Sequence, residues 1–393
     1  VTSSLLAPAA GPDLTSAWPG TLQLLLGEAA VDLWTAALAP TGAALRGLRA
    51  TSVSLRTDGS ATVQYAAALE VAGRPARDPL AAPPGSRIPP GAAVLAGDVD
   101  GAETRVGLWR WPHDPALPAL ARATSTAAVG RWLGAADAVL RVRAYRPGRR
   151  AVVEVTAPDR RWFLKVVRPA EVAGLLARHR VLAGAVPAPP VLTATDDGVL
   201  VLPALPGTPA RALLADPTAR PAAATLTALL DRLPGELLAL PRVRGPLERA
   251  GGHAAVLALV LPHLRHRWDR VAGRLADADP GTHPLVPVHG DLYEAQLLVD
   301  RGEVTGLLDV DGAGAGHRID DWATLLGHMA VAGAHGYRAE LAAALPWGPA
   351  ELAPRVTAVV LGLATGPFRV QQRGWPRATE ARLALVEQLL DGA

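Results

Sequence analysis

Between Val288 and Asp311 the sequence gathers groups that could move a phosphoryl group. The run Val288-His289-Gly290-Asp291-Leu292-Tyr293-Glu294-Ala295-Gln296-Leu297-Leu298-Val299 leads into Val304-Thr305-Gly306-Leu307-Leu308-Asp309-Val310-Asp311. The pattern is a short loop followed by two apolar strands turned at Arg301-Gly302, ending in two acids. A carboxylate in the loop, an amide five residues on, and an acid at the far end of the hairpin can converge on one point. Phosphoryl transfer needs such a set: one group to orient and deprotonate a hydroxyl, and oxygen ligands for a metal that bridges phosphates.

A second signal lies far upstream. Lys occurs once, at Lys165, among 39 basic residues, and Asn does not occur. In a chain so biased toward Arg, one retained Lys points to a need for an ammonium specifically. It sits in the apolar stretch Trp162-Phe163-Leu164-Lys165-Val166-Val167, where a charge without a partner is costly. His289 reads as a brace for its loop rather than a reacting group.

Three units must position these residues. Residues 1–135 read as a small mixed α/β cap whose first 17 residues are loosely held. Its pieces are an Ala/Leu-rich helix from Gly20 to about Leu48, a hairpin of 51–56 and 61–71 around Asp58-Gly59, a Pro-rich loop over 79–90, and a strand at 104–111. Residues 136–205 read as strands at 139–144, 151–156 and 162–167, a helix near 169–184, and a last apolar strand at 198–202. Residues 206–393 read as mostly helical, over 208–240, 245–276, 320–347 and 350–390, interrupted by the loop and hairpin at 286–312. The fold class is α+β.

Bulk properties narrow the partners. Half of the residues are apolar, 19% are charged and the mean hydropathy is +0.20, as in a globular chain. The net charge of +3 carries no dense Lys/Arg tract, which argues against nucleic acid. Without cysteine there is neither a disulfide nor a thiolate metal site. The apolar runs at 255–261 and 356–364 are too short to span a membrane, and the first residues lack the pattern of a secretory signal. A cytoplasmic protein is the expectation.

The His-Gly-Asp-Leu loop, the amide five residues after its Asp and the acid ending the hairpin together resemble the aminoglycoside phosphotransferase/choline kinase superfamily. Gly316-His317-Arg318-Ile319-Asp320-Asp321-Trp322-Ala323 continues the match, resembling the family's Gly-Asp-Pro-x-x-Asp-Leu-Ala. The resemblance covers roughly 137–393 and implies a protein-kinase-like two-lobed fold using ATP and Mg2+. It implies Asp291 as catalytic base, Gln296 and Asp309 as magnesium ligands, and Lys165 on the α- and β-phosphates. Pro203 and Leu205 fall in the stretch that would form the adenine hinge, and Asp321 falls on the acid that braces the catalytic loop. Asp311 could hold a second magnesium or touch the acceptor, with the metal favoured. The turn Arg146–Arg150 stands where a Gly-rich phosphate loop is usual and would cover the triphosphate with charge.

Two departures carry information. Gln296 replaces the usual Asn, as in the maltokinase-like branch. The family also pairs its Lys with a Glu on the following helix, but the expected place, near Arg178 or His179, holds no acid. Glu171 comes too early, leaving Glu154 on the neighbouring strand as the substitute. The cap, the HGDLYxxQ form and the DxDGxGxG run together resemble actinobacterial maltokinase-like proteins, most closely their glucosamine kinases. The acceptor side agrees: from Val331 onward five acids stand against six arginines, which makes no acidic trough for a polycation. Trp375, at a corner set by Gly374 and Pro376, suits a sugar ring, and Asp320 and Glu380 suit a sugar ammonium. Glucosamine is therefore the expected acceptor. Maltose and an aminoglycoside are the alternatives in the same chemistry, and a nucleotide-binding pseudokinase is the alternative outside it.

Overall fold

The computed structural model describes residues 16–99 and 102–392, so the loose start expected for residues 1–17 lies almost wholly outside the described residues. Helices α1 (Gly20–Leu26) and α2 (Ala29–Leu38) pack on an antiparallel sheet of order β1-β2-β3-β5-β4. Its strands are β1 (Ala43–Leu55), β2 (Ala61–Val71), β3 (Arg74–Ala82), β4 (Ala93–Val99) and β5 (Ala102–Arg110). Two expectations change here. The helix foreseen to Leu48 stops at Leu38, Gly42 turns the chain at φ 71°, and Ala43 onward pairs with β2. A long strand pairing outweighs the modest helix preference of Ala and Leu. Pro79, foreseen in a loop, lies inside β3. Its carbonyl accepts from the Trp111 N–H (2.9 Å), so its missing N–H falls on the β5 side, where β5 pairs only with Leu80 and Ala81.

The second sheet has the order β6-β7-β8-β10-β9 and is also antiparallel. It comprises β6 (Val139–Arg146), β7 (Arg150–Thr156), β8 (Arg161–Val167), β9 (Thr193–Thr195) and β10 (Val199–Pro203). Lys165 sits on β8 between Val152 and Leu200, and α5 (Val172–Leu182) follows. Between the two sheets run α3 (Leu120–Ala123) and α4 (Thr126–Leu133). Leu117, Leu120 and Val129 form one core with Val153, Leu164 and Val201 of the second sheet. Asp114, also from this linking segment, accepts from the Gly148 N–H (2.7 Å) at the tip of the β6–β7 turn and from the Tyr145 hydroxyl (2.9 Å).

The remainder is helical: α6 (Ala223–Asp231), α7 (Pro246–Val260), α8 (Arg265–Ala276), α9 (Arg318–Val331), α10 (His335–Ala343), α11 (Pro349–Ala364), α12 (Gly366–Arg369) and α13 (Trp375–Asp391). Short strands β11 (Thr208–Pro209), β12 (Val286–Val288), β13 (Leu297–Asp300), β14 (Glu303–Leu307) and β15 (Gly314–Gly316) punctuate it. The helices foreseen over 320–347 and 350–390 are each broken, the second at Gly366-Pro367 and again before Trp375. The result is an α+β, two-lobed fold, with the Lys165 sheet in one lobe and Asp291 in the helical other. The first sheet does not keep its core to itself. Its buried residues join those of α7, α8, α11 and α13, with Trp18 6.1 Å from Phe368 and 6.3 Å from Trp375. The Trp18 indole N–H donates to the Val260 carbonyl (3.0 Å). Among the described residues no single helix is long and apolar enough to cross a membrane.

Candidate active site

The loop bearing Asp291 is held from three directions. Gly290 has φ 82°, and a Cβ there would stand 2.6 Å from the Gly312 carbonyl oxygen, so only glycine allows this approach. The buried Asp321, at the start of α9, accepts from the backbone N–H groups of His289 and Gly290, each at 2.8 Å. His289 is fully buried; its Nε2 donates to the Leu308 carbonyl (2.9 Å) and its Nδ1 accepts from the Asp291 N–H (3.3 Å). Because a carbonyl can only accept, the proton is on Nε2. The imidazole therefore ties the Asp291 loop to the residue just before Asp309.

Asp309 ends the β13–β14 hairpin in a left-handed conformation, φ 53° and ψ 48°, that an L-residue adopts only when its surroundings enforce it. Arg150 grips both of its oxygens at 3.2 Å and reaches Asp311 at 3.2 Å. Lys165 Nζ lies 3.3 Å from Asp309 Oδ1 and also bonds Asp311 Oδ1. The lone lysine thus finds its acids across the cleft. Glu154 is not its partner: that carboxylate is held by Arg143 (2.6 Å) and Arg161 (3.7 Å). Glu171 is spent on Arg168. Burial alone would push the Asp309 carboxyl up, but Lys165 and Arg150 outweigh it and hold the group below its ordinary range. Asp291 shifts the other way. Its side chain reaches solvent, yet the dense walls around it dominate and raise its carboxyl, with His289 opposing and Asp309 adding to the rise.

Gln296 closes a single helical turn over Glu294–Gln296 and is buried at 7% exposure. Its backbone is bonded to Tyr293 and Leu308, while its side-chain amide makes no hydrogen bond. An amide oxygen taken together with the carboxylates of Asp309 and Asp311 makes an all-oxygen donor set, which suits magnesium. Among the described residues no group of three or more His, Cys, Asp or Glu side chains is gathered for a metal. An ion here would therefore complete its shell with phosphate and water oxygens. At the opposite edge, the Ala204 N–H is used by the Arg161 carbonyl (3.0 Å), between the two expected hinge residues Pro203 and Leu205.

The expected acceptor residues already have partners in the protein. Trp375 has no exposed surface; it packs edge-on against Phe368 at 4.9 Å and can offer no face to a sugar. Its corner turns the indole inward because Trp18, just before α1, supplies an apolar partner for it to cover. Asp320 bonds Arg355 (3.1 Å), which is itself buried and anchored on the Glu351 carbonyl (2.9 Å). Glu380 lies beside His263 (3.6 Å) on the half-exposed flank of α13. Residues that sequence reasoning passed over stand nearer to Asp291. Tyr293 stacks on His328 at 4.1 Å, and the positive charges of Arg249 and Arg150 both reach Asp291. Burial, then Arg211, Arg382 and Arg369, push the His328 ring down to about 4, so it is neutral at pH 7. Tyr293 was legible as part of HGDLY; His328, seven residues past Asp321 on the same helix face, had a signal only in that spacing.

A family model described as the phosphotransferase enzyme family, APH, matches residues 141–355, more than half of the chain. Among solved structures, macrolide 2′-phosphotransferase MphH from Brachybacterium faecium is 21% identical, with 65% of this chain and 96% of that chain covered and a TM-score of 0.42. A choline/ethanolamine kinase family protein from Mesorhizobium loti is 18% identical over 69% of this chain and 94% of that one, with a TM-score of 0.49. Aminoglycoside phosphotransferase APH(4)-Ia, in a ternary complex with ADP and hygromycin B, is 12% identical over 67% and 97%, with a TM-score of 0.45. No curated protein matches the chain significantly. With its family model spanning the lysine strand, the Asp291 loop and the hairpin acids, the chain belongs to the phosphotransferase enzyme family.

Proposed function

We propose that this cleft transfers the γ-phosphoryl group of ATP to a hydroxyl of a small sugar, in the cytoplasm where ATP is abundant. The observation that carries the reading is the Asp291 loop braced by Asp321, with Asp309 across the cleft on the only lysine of the chain. Asp291 accepts the acceptor's hydroxyl proton as that oxygen attacks, and its raised carboxyl brings it closer to a working base. Gln296 and Asp309, with Asp311 beside them, are the residues that would hold magnesium. When bound, Mg2+ would neutralise charge on the phosphate oxygens. Lys165 and Arg150 would leave their carboxylates for the phosphates, and Pro203 and Leu205 are the residues that would meet the adenine.

For the acceptor we propose glucosamine, on the resemblance of the HGDLYxxQ and DxDGxGxG segments to glucosamine kinases. Buried Trp375 lends that choice no support, so it rests on the motifs, with Asp320 and Glu380 as the proposed partners of a sugar ammonium. Release of ADP measured across glucosamine, glucose, maltose and kanamycin tests both levels. Turnover of glucosamine above the others is expected. Turnover of kanamycin alone would replace the acceptor, and silence with every acceptor, together with tight ATP binding, would turn the reading to a pseudokinase.

A further inference from the structure

The helix after the lysine strand carries His179 where an acid was expected, and the imidazole is built in rather than tolerated. It is 4% exposed, and its Nδ1 lies 2.8 Å from the Pro189 carbonyl. A carbonyl accepts, so Nδ1 carries the proton and Nε2 presents a lone pair. That Nε2 is buried and has no hydrogen-bond partner. Burial lowers the ring's proton affinity, and the charges of Lys165 and Asp311 both reach it. Helix α5 packs on the 310–312 turn that holds Asp311, and Arg178 Nε donates to the Ala313 carbonyl (3.1 Å) to fix that contact.

We propose that His179 Nε2 is the acceptor that positions the Lys165 ammonium once Asp309 and Asp311 are given over to metal and nucleotide. This rests on the reading of the cleft as an ATP site. Lys165 has three donors and bonds only Asp309 and Asp311 in this state. When those acids are withdrawn, two donors can meet phosphate oxygens, and a third is left for an acceptor in the protein. A neutral imidazole supplies one through its unprotonated Nε2. His179 is a positioning residue: it acts on phosphate only through Lys165.

Steady-state kinetics of His179→Leu, His179→Glu, Lys165→Met and the double variant His179→Leu/Lys165→Met test this, with thermal melting as the control for folding. The Leu variant should raise KM for ATP by roughly 3–10-fold, the worth of one hydrogen bond, with KM for the acceptor unchanged. The Glu variant should restore it, and Leu should add nothing in the Lys165→Met background. An unchanged KM for ATP in His179→Leu, while Lys165→Met loses nucleotide, overturns the inference alone. If Lys165→Met also binds ATP normally, the ATP-site reading falls with it. Should the Leu variant not fold, 15N NMR of the unaltered protein reads the ring directly. Adding Mg2+ and a non-hydrolysable ATP analogue must shift the Nε2 resonance toward a hydrogen-bonded nitrogen, and a static resonance overturns the proposal.

Discussion

The two walls of the cleft are held in opposite ways. On the helical wall, the Asp291 loop is fixed by bonds that no ligand needs to break: two backbone N–H groups on Asp321, and His289 between Leu308 and Asp291. On the sheet wall, Arg150 and Lys165 are fixed by Asp309 and Asp311, the same carboxylates that a metal would take. On the function proposed above, one wall is preorganised for the transition state, and the other stores its cations on acids until phosphate arrives. A proposed base held in place and a set of exchangeable ion pairs would then divide the labour between geometry and charge. The difference also says where a mutation should be felt: in turnover on the helical wall, in nucleotide affinity on the sheet wall.

That contrast can be broken by experiment. Asp291→Asn should lower kcat by roughly 10²–10⁴-fold, the usual worth of a positioned base, and leave melting unchanged because no bond of its carboxylate holds the loop. Half or more of the activity surviving would end its assignment as base. Lys165→Met should lower kcat/KM for ATP by about 10–100-fold, a charged hydrogen bond's worth, with little change in the acceptor's KM. An effect confined to kcat would erase the distinction between the walls. Asp321→Asn keeps one acceptor oxygen and sets an amide N–H₂ against a buried backbone N–H, so unfolding should become easier by about 1–3 kcal/mol. Calorimetry without a lower melting point would show that the loop is held by something else. The gentlest probe is pH. Asp291 is raised above its ordinary 3.8 whereas Asp309 is lowered. As pH falls, Asp291 should take its proton first, and the acid limb of kcat/KM should lie above 3.8 while Asp309 remains ionised. A limb below that value would mean the base is held like Asp309, by cations.

What the sequence disclosed, and what it hid, follows from how local each signal is. The Asp291 loop, Gln296, Asp309 and Asp321 sit within one supersecondary unit, so their spacing alone brings them together. The partners of Lys165 lie across the cleft at Asp309 and Asp311, and a search along the neighbouring helix and strand could not reach them. Trp375 failed for a related reason. Its corner was legible from Gly374 and Pro376, but the side of the corner that meets water depends on Trp18, hundreds of residues away. The first sheet was partly hidden because an Ala/Leu-rich stretch reads as helix until a partner strand claims it.

The seat of Trp18 has one more implication. Its indole bonds Val260 on one flank and meets Phe368 and Trp375 on the other, so the N-terminal sheet and the C-terminal helices share one apolar core. A version shortened to begin beyond this sheet, in search of a minimal enzyme, would leave α7, α8, α11 and α13 with a greasy face turned to water. Such a face invites aggregation before any assay begins. The first sheet, which supplies none of the cleft residues named above, would thereby set the smallest size at which the enzyme stays in solution.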